Sequence, residues 1–262
     1  MRYTVLFVAL LSCSCLGISA TDKTVSLASV ASTLRVKVQI ARTDITVTLE
    51  DKRGAGHCLK VDATARLAGV TMAVIDHGSS HTVTGNGPGS FETECHEPLF
   101  AIHDTETLFP RSGTVQLQIT DSSTVFDVQI DGALADHAIT LATPLDGKVH
   151  VGQPATLLLP VTTETIGSAE VYLSSAANKS LYGFDSQTQE LQIADGKLAF
   201  DVPSTLTPQP VKVTVSARLS LATPVCNGPS ECSATFIIGN GAPYAVDGTP
   251  DPPLALSTDL VP

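Results

Sequence analysis

Apolar side chains recur at every second position along most of this chain. Leu34, Val36, Val38 and Ile40 alternate with Arg35, Lys37 and Gln39, and Ile45, Val47 and Leu49 resume the period after Arg42-Thr43-Asp44. Val115, Leu117 and Ile119 are answered by Phe126, Val128 and Ile130 across Asp121-Ser122-Ser123, a pattern that predicts a hairpin. Leu191 and Ile193, then Leu198, Phe200 and Val202, flank Ala194-Asp195-Gly196-Lys197 in the same way. Val211, Val213, Val215, Ala217 and Leu219 form the longest clean alternation. A period of two places one set of side chains on each face of a strand, so these stretches predict sheets with one buried and one wet face.

Helical periodicity is confined to residues 167–182, where a strand reading through Tyr172 fits equally well. Parallel α/β folds need helical crossovers, and the sequence offers none. Turn signals recur about every eight to twelve residues, the spacing of a sandwich. The expected fold class is therefore all-β, with two tandem β-sandwich units. The first spans residues 22–131 and the second 137–240, with Gly132-Ala133-Leu134-Ala135-Asp136 as the joint. Each has about 100 residues, enough for a two-sheet core. Residues 241–262 hold five of the sixteen prolines with almost no periodicity and are expected to be a disordered or loosely docked tail.

The N-terminus has a different character. Met1-Arg2 precedes the uninterrupted apolar run Tyr3–Leu11, after which small residues follow. Such a run falls short of the roughly 20 apolar residues that span a hydrocarbon core of about 30 Å, and it reads as a signal peptide over residues 1–20. Two cleavage readings compete. Ile18-Ser19-Ala20 suits ordinary signal peptidase, whereas Leu10-Leu11-Ser12-Cys13 resembles a lipobox that would leave Cys13 lipidated. Either way the protein is expected outside the cytoplasm, secreted, periplasmic or anchored to the outer membrane through lipid, with no transmembrane span.

Cysteine parity fits that address. Cleavage after Ala20 leaves Cys58, Cys95, Cys226 and Cys232, an even set that in an exported chain reads as disulfides. Three pairings are open in principle. Proximity favours Cys226–Cys232 around the turn residues Asn227-Gly228-Pro229, which leaves Cys58–Cys95.

Composition removes several functional classes. With 43% hydrophobic and 16% charged residues the chain can build a core. Its net charge of −11 argues against a nucleic-acid partner. Trp is absent, so little aromatic surface is available for stacking ligands.

The run Ile139-Thr-Leu-Ala-Thr-Pro-Leu-Asp-Gly-Lys-Val-His-Val-Gly-Gln-Pro-Ala-Thr-Leu157 resembles the opening of bacterial immunoglobulin-like domains, in which a strand enters a Pro-x-Asp-Gly turn and Gly-Gln precedes the next strand. Val211–Cys226 followed by Cys232–Ile238 is similar to the last hairpin of that fold. The first unit, through Cys58–Met72, Cys95–Phe100 and Val115–Asp121, is similar to N-terminal parts of uncharacterised exported proteins and lipoproteins of myxobacteria. The resemblance implies immunoglobulin-like sandwiches and carries no activity with it.

Candidate chemistry is sparse. No Gly-x-Ser-x-Gly elbow occurs, and Gly85-Asn-Gly-Pro-Gly89 lacks the Lys-Ser/Thr ending that cradles phosphate. Asp185–Glu190 alternates oxygen ligands but has neither the glycine nor the distal glutamate of an EF-hand. The histidines stand out. His77 and His81, four apart beside Asp76, have the chemistry to hold Zn²⁺ or Cu²⁺. His57 precedes Cys58 and His96 follows Cys95, so the two would face each other if the cysteines were opposed in one antiparallel ladder. The resulting expectation is an exported, non-catalytic protein without a cofactor, with a structural, adhesive or binding role toward other envelope or surface proteins. The alternative is a metal-binding envelope protein or metal-dependent enzyme using those histidines. End loops at residues 76–90, at Pro203–Pro210 and at the Cys226–Cys232 turn are the expected recognition elements.

Overall fold

A computed structural model describes residues 24–41, 44–53, 58–84, 91–103, 113–132, 139–159, 165–239 and 254–262. Almost every element is a strand. One four-residue helix, α1 (Leu27–Val30), capped by Ser26, precedes β1 (Leu34–Ile40) and β2 (Asp44–Asp51). There follow β3 (Thr64–Leu67), β4 (Val70–Thr71), β5 (Ala73–Asp76), β6 (Ser79–Thr84), β7 (Phe91–His96), β8 (Leu99–His103), β9 (Gly113–Thr120) and β10 (Val125–Gly132). The second half holds β11 (Thr140–Thr143), β12 (Val149–His150), β13 (Pro154–Leu158), β14 (Thr165–Ser175), β15 (Ser180–Asp185), β16 (Leu191–Ala194) and β17 (Lys197–Asp201). It closes with β18 (Gln209–Ser220), β19 (Val225–Asn227), β20 (Glu231–Ile238) and β21 (Leu254–Val261).

The period-two stretches fold as their pattern dictates. β1 and β2 pair from Leu34↔Asp51 to Ile40↔Ile45, and β9 and β10 form the hairpin around Asp121. In the β16–β17 hairpin, Asp195 and Gly196 both have positive φ (48° and 72°), as a two-residue type I′ turn requires. Residues 167–182, the helical candidate, lie in β14 and β15 and the turn between them. Their every-second burial through Ala169, Val171 and Leu173 decides for strand.

The second half has an immunoglobulin-type strand order. One sheet runs β11-β13-β17-β16 and the other brings β15, β14, β18 and β21 side by side. In order of appearance these are the A-B-E-D and C′-C-F-G arrangements of that sandwich. The layers meet face to face at Phe184 of β15 and Phe200 of β17, whose rings are 4.3 Å apart between centroids.

Strands of the first half form two further layers. β1-β2-β8-β5 belongs to the large sheet, and β10-β9-β3-β4 forms the other. Val36, Val38, Leu49 and Phe100 of one layer, and Leu67, Leu117, Val128 and Ile130 of the other, are buried in a common apolar core.

Two observations depart from the sequence reading. The segment expected to end the second unit also joins the first. β20 pairs antiparallel with β18 only from Ser220↔Thr235 to Ala217↔Ile238, while its other edge pairs in parallel with β1 from Arg35↔Glu231 to Ile40↔Phe236. β19 pairs with β10 in the opposite layer. A hydrogen-bonded sheet thus continues from β15 through β14, β18, β20, β1, β2 and β8 to β5. Secondly, the tail expected to be disordered contains β21. Leu254, Leu256 and Leu260 keep a period of two after the prolines, and the strand pairs with β18 from Gln209↔Leu260 to Val215↔Leu254. Residues 241–253 lie outside the described residues.

Candidate functional site

The histidine-bearing corner is built from β5, β6 and β7. Asp76 ends β5, and its carboxylate accepts the Gly78 amide at 2.8 Å, turning the chain into β6. Gly78 has φ +89°, and a Cβ there would stand 1.8 Å from the Leu59 carbonyl oxygen. Only glycine fits this crossing. Cys58 and Cys95 stand at bonding distance, S–S 2.02 Å, tying the segment before β3 to β7.

Among the described side chains, Asp76 and His96 approach each other at this corner. His96 Nδ1 lies 3.9 Å from Asp76 Oδ2. His77 turns its Nδ1 to the Val61 carbonyl oxygen at 3.3 Å. His81 occupies the register position opposite Glu94 on β7. The condition for pairing His57 with His96 is not met, because Cys95 faces Ser80 in the ladder and Cys58 lies outside any strand. His57 itself lies outside the described residues, as does the Gly85–Gly89 run. Among the described residues no three His, Cys, Asp or Glu side chains converge as a metal site. Residues 79–84 of the expected 76–90 loop form β6.

The second disulfide lies between layers. Cys226 is on β19, beside β10, and Cys232 is on β20, beside β1, with S–S 2.08 Å and Cα–Cα 6.0 Å. The short turn therefore clips the two layers of the first half together. Within it, Gly228 has φ +118°, and the space of its absent Cβ is filled by the Phe126 ring. The Asp185–Glu190 stretch is a closed turn, with the Asp185 carboxylate accepting the Gln187 amide at 2.8 Å.

The wet face of β20-β1-β2 carries a charge network. Arg35 reaches Glu50 at 3.2 Å and Glu231 at 3.0 Å, Lys37 reaches Glu50 at 2.7 Å, and Lys52 pairs with Glu231. Hydrogen bonds from Lys52 and Arg35 hold the Glu231 carboxyl below the ordinary range. Glu97, which precedes β8, shows the opposite effect. Burial, with the negative charges of Glu50 and Asp51, pushes its carboxyl up to about 7 against the attraction of Lys37. The alternating Arg35, Lys37 and Gln39 predicted a polar face, but the Glu231 partner, 196 residues away in sequence, had no local signal. The buried Asp44, which accepts from His103 Nδ1 at 3.0 Å, was likewise invisible to spacing.

In β12, His150 donates from Nε2 to Asp146 at 2.8 Å and from Nδ1 to the Pro262 carbonyl oxygen at 3.2 Å. The Asp146 hydrogen bond, working against desolvation, raises the imidazole's affinity for its proton. The Pro203–Pro210 loop begins with a turn closed by the Leu206 amide on the Pro203 carbonyl oxygen.

These features define a class, the immunoglobulin-like β-sandwich proteins, held by two disulfide pairs. Among the described residues no helix is long and apolar enough to cross a membrane. No family model and no curated protein matches the chain. Among solved structures, it is similar to the FN1–FN3 domains of chicken CNTN1, at 11% identity and a TM-score of 0.28, over 87% of this chain and 64% of that one. The chain spans less than two thirds of that structure's length.

Proposed function

We propose that this is an exported, non-catalytic β-sandwich protein of the cell envelope or exterior, with a binding, adhesive or structural role. The observation that carries the reading is the pair of disulfides, one of them joining two layers, in an almost wholly β chain. Such bonds persist in oxidising compartments. The apolar run Tyr3–Leu11 and the likeness of residues 139–157 to bacterial immunoglobulin-like domains support the same reading. Two sandwiches sharing a sheet make a stiff post, and its recognition elements are the Pro203–Pro210 loop, the Cys226–Cys232 turn and the polar face around Arg35.

Mass spectrometry of the protein from its native cell, with thiols alkylated before lysis, tests this. The expected result is an N-terminus at Thr21 or a lipid-bearing Cys13, with Cys58, Cys95, Cys226 and Cys232 all protected from alkylation. A retained Met1 with four alkylated thiols in a cytosolic fraction overturns it. Among the described residues the metal-site alternative is supported by the Asp76–His96 approach. Metal analysis of chelator-free protein checks it, and stoichiometric zinc or copper would reverse the ranking.

A further inference from the structure

The polar face of β15, β14 and β18 carries a cleft of about 590 Å³, inside the range of about 300–1,000 Å³ that small-molecule sites occupy. Register fixes its layout. Tyr172 lies between Gly183 and Thr214, and Glu170 lies between Asp185 and Ser216, with Arg218 one row further along β18. The period of two that buries Ala169, Val171 and Leu173 turns these positions to the opposite face.

Tyr172 is 42% exposed although it sits in mid-strand. One side of its ring fills the space of the Cβ that Gly183 lacks, since such an atom would stand 2.8 Å from Tyr172 Cε1. Its hydroxyl donates to Glu170 at 2.8 Å. The ring is thus laid over β15 and held there by two contacts, with the rest of its surface open to water. An aromatic ring fixed in this way can receive the apolar face of a ligand without being reordered on binding.

The groups around this platform point to what it holds. Glu170 and Asp185 stand opposed in the register, a like-charge pair that works against the sheet. Among the described residues neither carboxylate has a cation within ion-pair distance, and the exposed Arg218 guanidinium has no acid. A ligand of either single charge would meet a like charge at one end of the cleft. A neutral polyol can donate to the carboxylates and accept from the guanidinium, while the Thr214 and Ser216 hydroxyls do either.

We infer that the cleft is a carbohydrate site, in which a pyranose with equatorial substituents lays its C–H face on Tyr172 while its hydroxyls donate to Glu170 and Asp185 and accept from Arg218. Chains of β-1,4-linked glucose or N-acetylglucosamine present such rings. This gives the binding role proposed above a ligand class, at a face distinct from the recognition elements named there. It depends neither on export nor on the disulfides, so its failure would leave that reading standing.

Titration of the disulfide-bonded chain with cellohexaose and with chitohexaose, followed by calorimetry and ligand-observed NMR, tests the site. At least one oligosaccharide is expected to bind, with Tyr172→Ala weakening it about tenfold and Arg218→Ala about threefold. Tyr172→Phe, which keeps the ring, is expected to bind within about twofold of the parent. Thermal melts of each variant separate loss of the site from loss of the fold, and should Tyr172→Ala unfold, the exposed Arg218→Ala decides. Saturable binding of neither oligosaccharide overturns the proposal. Binding that both substitutions leave unchanged also overturns it, because the sugar then sits elsewhere. Tetramethylammonium is the cation control, and its uptake without that of either oligosaccharide refutes a carbohydrate site in favour of a cation site.

Discussion

Glu97 is held in a place that disfavours its charge. In the unfolded chain its carboxyl titrates near 4.5, and in the fold near 7. The favourable contribution of its protonated form is complete below the unfolded value and is lost as pH rises toward 7. Glu97→Gln should therefore stabilise the protein at pH 8 by about 1 kcal/mol, discounted for partial exposure, and give no gain at pH 4. Urea melts at the two pH values check this, and an equal effect at both would count against it. Gly228 offers a steric counterpart. An added methyl group must enter the Phe126 ring at a left-handed φ, so Gly228→Ala should cost about 3 kcal/mol in the same melts. The turn character of Asn227-Gly228-Pro229 was readable from the sequence. The Phe126 contact was not, because it depends on β19 lying beside β10.

Among the elements, β21 has the most to reveal in solution. His150 can donate to both Asp146 and the Pro262 carbonyl oxygen only as the imidazolium. Its pKa is raised above 6.5, so the clamp is complete below that value and is lost as pH climbs through the raised one. At the acid side Asp146, held below 3.8 chiefly by the His150 hydrogen bond, keeps its charge until pH falls through its lowered value. Lys148, 4.0 Å from Asp259, opposes the imidazolium, and Asp146 outweighs it. Amide exchange in β21, corrected for intrinsic rates, should be about threefold slower at pH 6 than at pH 8, and His150→Ala should erase the difference. Period two is plain in the sequence of β1, β2, β9, β10, β16, β17 and β18, because each carries alternating apolar residues beside a partner strand or a strong turn. In β21 the same period was masked by Pro250, Pro252 and Pro253, which shift the composition of the tail without touching the strand. The conditional pairing of His57 with His96 had no such support in the sequence. Spacing along a chain says nothing about which strand will stand opposite, and Ser80 rather than Cys58 took the place facing Cys95.

At the scale of the molecule, the shared β20 predicts coupling. A sheet continuous from β15 to β5 should make the two halves unfold together, giving one calorimetric transition whose van't Hoff and calorimetric enthalpies agree. Two resolved transitions would show that β20 does not couple them. Removing the bridges should lower stability by unequal amounts. Loop-closure entropy gives about 4 kcal/mol for Cys58→Ser/Cys95→Ser, which opens a separation of 37 residues, and about 2 kcal/mol for Cys226→Ser/Cys232→Ser, which opens one of 6. Guanidinium melts of the two double variants test that order. The all-β class and the cysteine pairs were legible from alternation and proximity. The fusion of the halves was not, since it comes from a parallel pairing between residues nearly 200 positions apart.

That parallel pairing has a mechanical consequence. Suppose the molecule is pulled from the N-terminal side of β1 and from the C-terminal end of β20. The two strands would then slide along their length, and all six registered pairs from Arg35↔Glu231 to Ile40↔Phe236 would share the load at once. A hairpin pulled from its open end instead unzips one pair at a time. Force applied across those two points would therefore be met by the whole seam together.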